Sequence, residues 1–385
     1  MPTPMVGHWR WQRQVRSGLH QRWAGNIRMT SRNGEVRQKL SPNLRAGLDV
    51  ARALAALYVV AHHVANSRGW SHGPGLIFRF GQEAVLVFFL LSGFVIFANE
   101  RYRALTPRGY YWRRIRRIYP ALLLAMLVSS AVALDNGDFG TRFNWAEFFA
   151  TLASLQDISL LKPGVIADPF LGNDPLWSIS YEVAFYLVFP FVLKPWTRNP
   201  HRVEMSVGAV CCASYITFVY WPNHLSLVAT YFLVWWCGAM AADAYQRGGS
   251  NFRAFLPSLS WLALLCVIAG IVVKVVGFRS VGYYPFLPFR HFAVALVLLV
   301  LFSNALGATI ARLCAVVAAP GAALASISYG LYVLHHPLLV DSARAQKPTG
   351  FLIALVILFG LAYAIDRRLN AYLGKKAALP LSVKK

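Results

Sequence analysis

Acidic side chains are scarce in this chain. Its 385 residues hold 15 Asp and Glu against 38 Lys and Arg, for a formal net charge of +23, and only 14% of residues are charged while 57% are apolar. A soluble domain carries about a quarter charged residues, so the shortage excludes a soluble two-domain protein although the length allows one. Cysteine is rare as well. Cys211, Cys212, Cys237, Cys266 and Cys314 all fall in apolar stretches without Cys-x-x-Cys spacing. That pattern implies small buried hydrophobes, with neither a disulfide framework nor a metal-ligand cluster. No secretory leader is expected in residues 1–45, which carry nine Lys and Arg and no apolar core segment. They read as a disordered basic arm.

Long apolar runs take the place of these features. Ten stretches have membrane-spanning length: approximately 46–66, 77–98, 118–134, 176–194, 203–221, 224–243, 255–276, 291–311, 324–341 and 350–366. With the N-terminus in the cytoplasm, 28 Lys and Arg fall on the inner side and nine in outer loops, leaving Arg52 inside the membrane. This is the positive-inside asymmetry. The expected fold is therefore an all-α, polytopic membrane helical bundle of about ten transmembrane helices, with both termini cytoplasmic. A basic tail over 1–45, a membrane domain over 46–366 and a second basic tail over 367–385 are expected. The positive charge then answers to anionic membrane lipids, and no nucleic acid partner is expected. In the longest outer loop, about 135–175, the apolar piece Trp145–Leu155 is too short to span and reads as interfacial or re-entrant. Trp70, Trp177 and Trp221 fall near outer ends, as an aromatic belt requires.

Ionisable groups inside a membrane are expensive and mark function or interhelical ties. Arg52 and His63 stand eleven residues apart, within about 20° of three full helical turns, and so share one stripe. The pair reads as the two ends of a reaction chamber crossing most of the bilayer. At about 1.5 Å per residue, His63 lies roughly 22 Å from the inner edge. Glu83 and Glu182 each lie roughly 9 Å below the outer one. Three ionisable groups on three helices are thus expected at one level, with Arg52 and Ser92 near the inner one. Histidine suits a general base near neutral pH, and a carboxylate can orient it. His62 points about 100° away from His63 and is assigned to helix packing.

Further candidates lie along the chain. Residues 110–120 form a cationic step whose arginines, Arg117 and Arg114 among them, suit either anionic lipid or the phosphates of a nucleotide-type donor. The Ser92-Gly93 step permits close helix approach or leaves room for a ligand chain. His335, ahead of Pro337, is a candidate proton carrier. Arg290 and His291 open span eight at the outer surface.

These residues also carry a pattern that resembles the acyltransferase 3 family of integral membrane enzymes. The matching pieces are Leu48-Asp49 with Arg52 and His63, the run Phe88-Phe89-Leu90-Leu91-Ser92-Gly93-Phe94, and Arg117-Ile118-Tyr119-Pro120. Then follow Pro175-Leu176-Trp177-Ser178 with Glu182 and Phe185-Tyr186, and Ser328-Tyr329-Gly330-Leu331-Tyr332 before His335 and Pro337. They keep the family's order across the membrane domain. Leu86 and Phe97 stand where the family often has Asp and Ser. The resemblance implies an O-acyltransferase of the bacterial cytoplasmic (inner) membrane. Its donor is acyl-CoA, most often acetyl-CoA, as a co-substrate with no bound cofactor. Its acceptor is a hydroxyl of a surface or secreted carbohydrate or of a lipid-linked saccharide. His63 and Glu182 are the implied catalytic pair. Arg52, Ser92, Arg114 and Arg117 are implied in donor binding, and Glu83, His335, Trp177 and Tyr186 are additional candidates. In that scheme Glu182 holds the imidazole of His63 in its useful tautomer. With only a short stretch after the last span, a stand-alone membrane domain is expected. A transporter or flippase of a lipid-linked saccharide is the rival reading, although the inverted repeats common there are not seen.

Overall fold

The computed structural model describes residues 29–30, 36–37, 40–70, 73–248 and 252–378. Most of the expected basic arm and the last residues of the C-terminal tail lie outside the described residues.

The first helix, α1, spans Pro42–Ser67. The Ser41 hydroxyl accepts from Leu44 N at 3.2 Å and Pro42 fills the first turn. Helix α2 covers Gly81–Ala104 and α3 covers Pro107–Asn136. The whole basic run 110–117 belongs to α3, ahead of the point where a span was expected. Pro107 supplies the helix start, and Pro120 inside the helix withdraws only one hydrogen bond. A short helix α4, Trp145–Leu152, fills the apolar piece of the long loop and exposes Trp145 and Phe149.

Then come α5 (Trp177–Trp196), α6 (Pro200–Tyr220), α7 (His224–Gln246), α8 (Leu256–Val276) and α9 (Phe286–Phe302). The expected span 291–311 is broken at Ser303 and Asn304, where the Asn304 side chain caps a new helix, α10 (Ala305–Cys314). Helices α11 (Ala318–Ala325) and α12 (Ser328–His335) follow. A π-helical turn, His336–Asp341, and α13 (Pro348–Tyr363) complete the bundle.

Eight helical stretches among the described residues are long and apolar enough to cross a membrane. One of them, Ala305–Ala325, does not climb the bundle. Ala311 faces Gly47, and Gly321 faces Val50 only three residues further along α1. Helix α1, helix α9 and α12 with its π turn join the other seven. Their ends sort to two sides. Ser41 N meets the Tyr245 hydroxyl at 3.1 Å on one side. On the other, Arg68 reaches the carbonyls of Ala345 and Gln346, and Asn136 reaches that of Asp341. The first side carries Arg101, Arg103 and the arginines of α3, and is called the basic end here.

Helix α7 is the central post, buried along nearly its full length. It can touch α2 closely because both are notched by glycine. A Cβ on Gly93 would stand 1.9 Å from the Trp235 carbonyl oxygen, and one on Gly238 would stand 2.0 Å from that of Leu90. All five cysteines are free. Trp70 and Trp221 are exposed, as a belt requires, but Trp177 is buried, 4.1 Å by ring centroid from Lys162 Nζ.

The long loop explains Trp177. After α4 the chain turns inward: the Gln156 amide donates to the Leu176 carbonyl at 2.6 Å, and the Asn173 amide donates to that of Val333 at 3.1 Å. Lys162 Nζ and Asp157 Oδ1 pair at 2.5 Å in the interior, where a lone charge would be costly. Helix α5 therefore starts well below the far end, level with the middle of α12.

Candidate active site

Two groups of polar side chains occupy the bundle, one above the other. The lower is a cavity of about 430 Å³ toward the basic end, lined by five arginines (Arg52, Arg113, Arg114, Arg116, Arg117) and two carboxylates (Glu100, Glu182). The α3 arginines are held by acids that sequence reading passed over. Arg113 grips Glu100 with bonds of 2.7 to 3.1 Å, and Arg114 Nη2 donates to the same carboxylate at 3.2 Å. Arg117 Nη1 donates to Asp366 Oδ1 at 2.8 Å, while Asp366 Oδ2 accepts from Gly330 N at 2.7 Å. The Arg114 guanidinium also lies 5.7 Å from the Tyr186 ring centroid, and that of Arg117 lies 5.5 Å from Tyr329. Such planar, fixed cations match phosphate geometry. The signal in the sequence was an acid just ahead of a pair of arginines, Glu100 before Arg101 and Arg103 and Asp366 before Arg367 and Arg368.

Deeper in the cavity, Ser92 is the hub. Its hydroxyl donates to Glu182 Oε1 at 2.9 Å, lies 3.0 Å from the Tyr186 hydroxyl and accepts from Trp235 Nε1 at 3.2 Å. Tyr186 also donates to Glu182 Oε1. At the Ser-Gly step Gly93 admits α7, the close helix approach expected of it, while Ser92 faces the cavity. Arg52 lines the same chamber, near enough to Glu182 and Arg117 for their charges to act on it. Yet its guanidinium makes no hydrogen bond or ion pair with any described residue, so a cavity-facing cation with five donors is left for a ligand.

The upper group is a cluster of imidazoles. His63 lies 5.3 Å by ring centroid from both His335 and His336, and 4.9 Å from His62. His335 Nδ1 donates to the Leu331 carbonyl at 3.1 Å, and its buried Nε2 has no partner. His336 Nδ1 donates to Asp341 Oδ2 at 3.2 Å. His62 is pinned by the Phe78 carbonyl and packs on Gly81, the helix contact expected of it.

Three expectations about this arrangement are corrected. Glu182 lies at the level of Ser92, not of His63, because α5 starts low in the bundle. It consequently does not hold the imidazole of His63; its Oε1 is occupied by Ser92 and Tyr186. Glu83 is also absent from the imidazole cluster, being paired with Arg290 and 3.9 Å from His291 Nε2. The Arg52 cavity, moreover, does not have His63 among its lining residues. Phe88 and Tyr332 line the cavity with ring centroids 5.7 Å apart, and His335 lies on Tyr332 at 6.3 Å. The Tyr332 hydroxyl is fixed by the Pro175 carbonyl at 2.6 Å and by Ser178 Oγ at 2.7 Å. Arg52 stands below this aromatic pair and His63 above it.

A family model described as an acyltransferase domain matches residues 45–366, which include the arginines, carboxylates and histidines of both groups. The chain belongs to the acyltransferase 3 family. It is similar to nodulation protein 10 of Rhizobium leguminosarum bv. viciae, 26% identical over 243 residues that make up 57% of this chain and 65% of that protein. It is similar to acyltransferase MdmB of Streptomyces mycarofaciens, 31% identical over 182 residues, 43% of this chain and 45% of that protein. It is also similar to peptidoglycan O-acetyltransferase OatA of Listeria monocytogenes serovar 1/2a, 29% identical over 201 residues, 46% of this chain and 29% of that protein. Each match spans less than two thirds of the relative's own length. No solved structure matches the chain.

Proposed function

We propose that this acyltransferase 3 member moves an acyl group, acetyl in the first instance, from acyl-CoA to a hydroxyl of a surface carbohydrate or lipid-linked saccharide. The membrane is the bacterial inner membrane and the basic end faces the cytoplasm. The observation that carries the reading is the unpaired Arg52 guanidinium inside a cavity whose other four arginines belong to α3. A long donor with phosphates at one end and a thioester at the other fits that layout. The arginines of α3 take the phosphates, and the narrow arm passes Arg52 and the Ser92–Glu182–Tyr186 triangle.

His63 is the base. It takes the proton of the acceptor hydroxyl as that oxygen attacks the acyl carbonyl carbon, and the carbon–sulfur bond breaks to release CoA. Glu182 has a different part in this reading from the one first expected. It is a fixed acceptor that shapes the arm's path, since Ser92 and Tyr186 hold it away from the imidazoles. For the thioester to meet His63, the Phe88–Tyr332 pair must part.

The test uses inverted membrane vesicles of a strain deleted for the gene and carrying the full chain, supplied with radiolabelled acetyl-CoA. Label is expected in base-labile esters of the cell's own glycans, accompanied by free CoA thiol. The His63→Ala variant is expected to reach the membrane and incorporate nothing. Saccharide translocation without thiol release, or wild-type incorporation by His63→Ala, overturns the reading.

A further inference from the structure

The histidine singled out by the motif is His335, but its neighbour has the better chemical support. His336 opens the π turn His336–Asp341, and that turn creates its partnership. In an α-helix, residues five apart point about 140° away from each other. A π turn, with its i→i+5 repeat, brings them onto one face. His336 Nδ1 therefore reaches the carboxylate of Asp341, five residues on, at 3.2 Å. Asp341 is itself anchored from the end of α3 and the turn after it: its carbonyl accepts from the Asn136 amide at 2.9 Å, and Arg142 Nη2 lies 3.9 Å from its Oδ1. Asp174, at the head of the segment leading into α5, also acts electrostatically on His336 and Asp341. His335 has only a backbone carbonyl on Nδ1, and His63 has no carboxylate partner among the described residues.

A proton arriving on His63 places a positive charge among packed rings. The carboxylates that can offset it, Asp341 and Asp174, both stand on the His336 side. We infer that His336, oriented by Asp341, is the positioning residue behind His63, holding the proton that His63 takes from the acceptor. This rests on the function proposed above.

As the acceptor oxygen bonds to the acyl carbon and the carbon–sulfur bond breaks, its electron pair leaves on sulfur. The hydroxyl proton moves to one nitrogen of His63, and once the two rings, 5.3 Å apart by centroid, turn into hydrogen-bond contact a proton from the other nitrogen passes to Nε2 of His336. The Asp341 carboxylate on Nδ1–H then balances the imidazolium. The proton returns through His63 to the CoA thiolate, so that ester and thiol are formed and both histidines end neutral.

The experiment uses the same vesicles and labelled acetyl-CoA. In His336→Gln the amide can still donate to Asp341 but cannot carry a proton. It is expected to lower kcat about 10²-fold with KM for acetyl-CoA little changed. Asp341→Asn is expected to act in the same direction. His336→Gly is expected to regain activity when imidazole is added, which a purely structural histidine would not allow. Wild-type kcat in His336→Gln while His63→Ala is inactive overturns this inference and leaves the function standing. Loss of kcat and a risen KM together, with no imidazole rescue, overturns it in favour of packing. Incorporation that survives His63→Ala removes the function itself, and this inference with it.

Discussion

Arg52 is the residue on which the proposed donor site turns, because its guanidinium makes no hydrogen bond or ion pair among the described residues while Arg113, Arg114 and Arg117 around it do. A hydrogen bond to a charged group is worth about 1.5–3 kcal/mol. Arg52→Gln is therefore expected to reduce kcat/KM for acetyl-CoA about tenfold to a hundredfold, measured as CoA thiol release in vesicles. Phe88 makes the opposite prediction. Phe88→Leu thins the aromatic partition beneath His335 and is expected to raise thiol release in the absence of acceptor, as water reaches the thioester. Unchanged acceptor-independent release would show that the pair does not bar the route. At this scale the sequence reading found Arg52, Ser92, Arg114, Arg117 and Tyr186, which all meet in one cavity. Charge and hydroxyl are conspicuous in an apolar stretch. It passed over Glu100 and Asp366, whose value lies in the arginines that fold back on them. It singled out His335 and missed the His336–Asp341 pair, since a five-residue partnership is invisible to a 3.6-residue period.

Among the elements, the α2–α7 crossing is the least tolerant of change. A methyl on Gly93 would collide with the Trp235 carbonyl at 1.9 Å, and backbone cannot yield as a side-chain tip can. Gly93→Ala is expected to destabilise the bundle by about 1–3 kcal/mol, read as a lower unfolding midpoint in detergent. Gly137→Ala, away from any neighbour but in left-handed backbone, serves as the comparison for strain without collision. Helix existence was legible from apolar run length alone. Helix depth was not, because span order assumes that every helix begins at a membrane face. Helix α5 begins inside, below the tucked loop 153–173, and this displaced Glu182 from the level of His63 to that of Ser92. The break at Ser303 and Asn304 was hidden for a different reason: apolar residues continue on both sides of it, and only the Asn304 cap marks a new helix.

The whole molecule has one strongly basic end, and the orientation proposed for it can be checked directly. A cysteine at the exposed Thr106, between α2 and α3, is expected to react with a membrane-impermeant maleimide from the cytoplasmic side only. One at the exposed Lys347, ahead of α13, is expected to react only from the opposite side. Labelling of both from one side would refute the proposed topology. The natural cysteines are buried or half-buried, which limits background labelling. The alternation of spans was readable because basic loops and apolar runs are properties of long stretches. The separation of the Arg52 cavity from the imidazole cluster was not, because it depends on two rings from α2 and α12 that are 244 positions apart in the chain. That division bears on more than acyl transfer. An unbroken wet passage through a bacterial membrane would let protons run down their gradient and dissipate the membrane potential. Phe88 and Tyr332 stand between the Arg52 cavity and the imidazole cluster, so under the function proposed above a port open on one side would still leave the membrane sealed between turnovers.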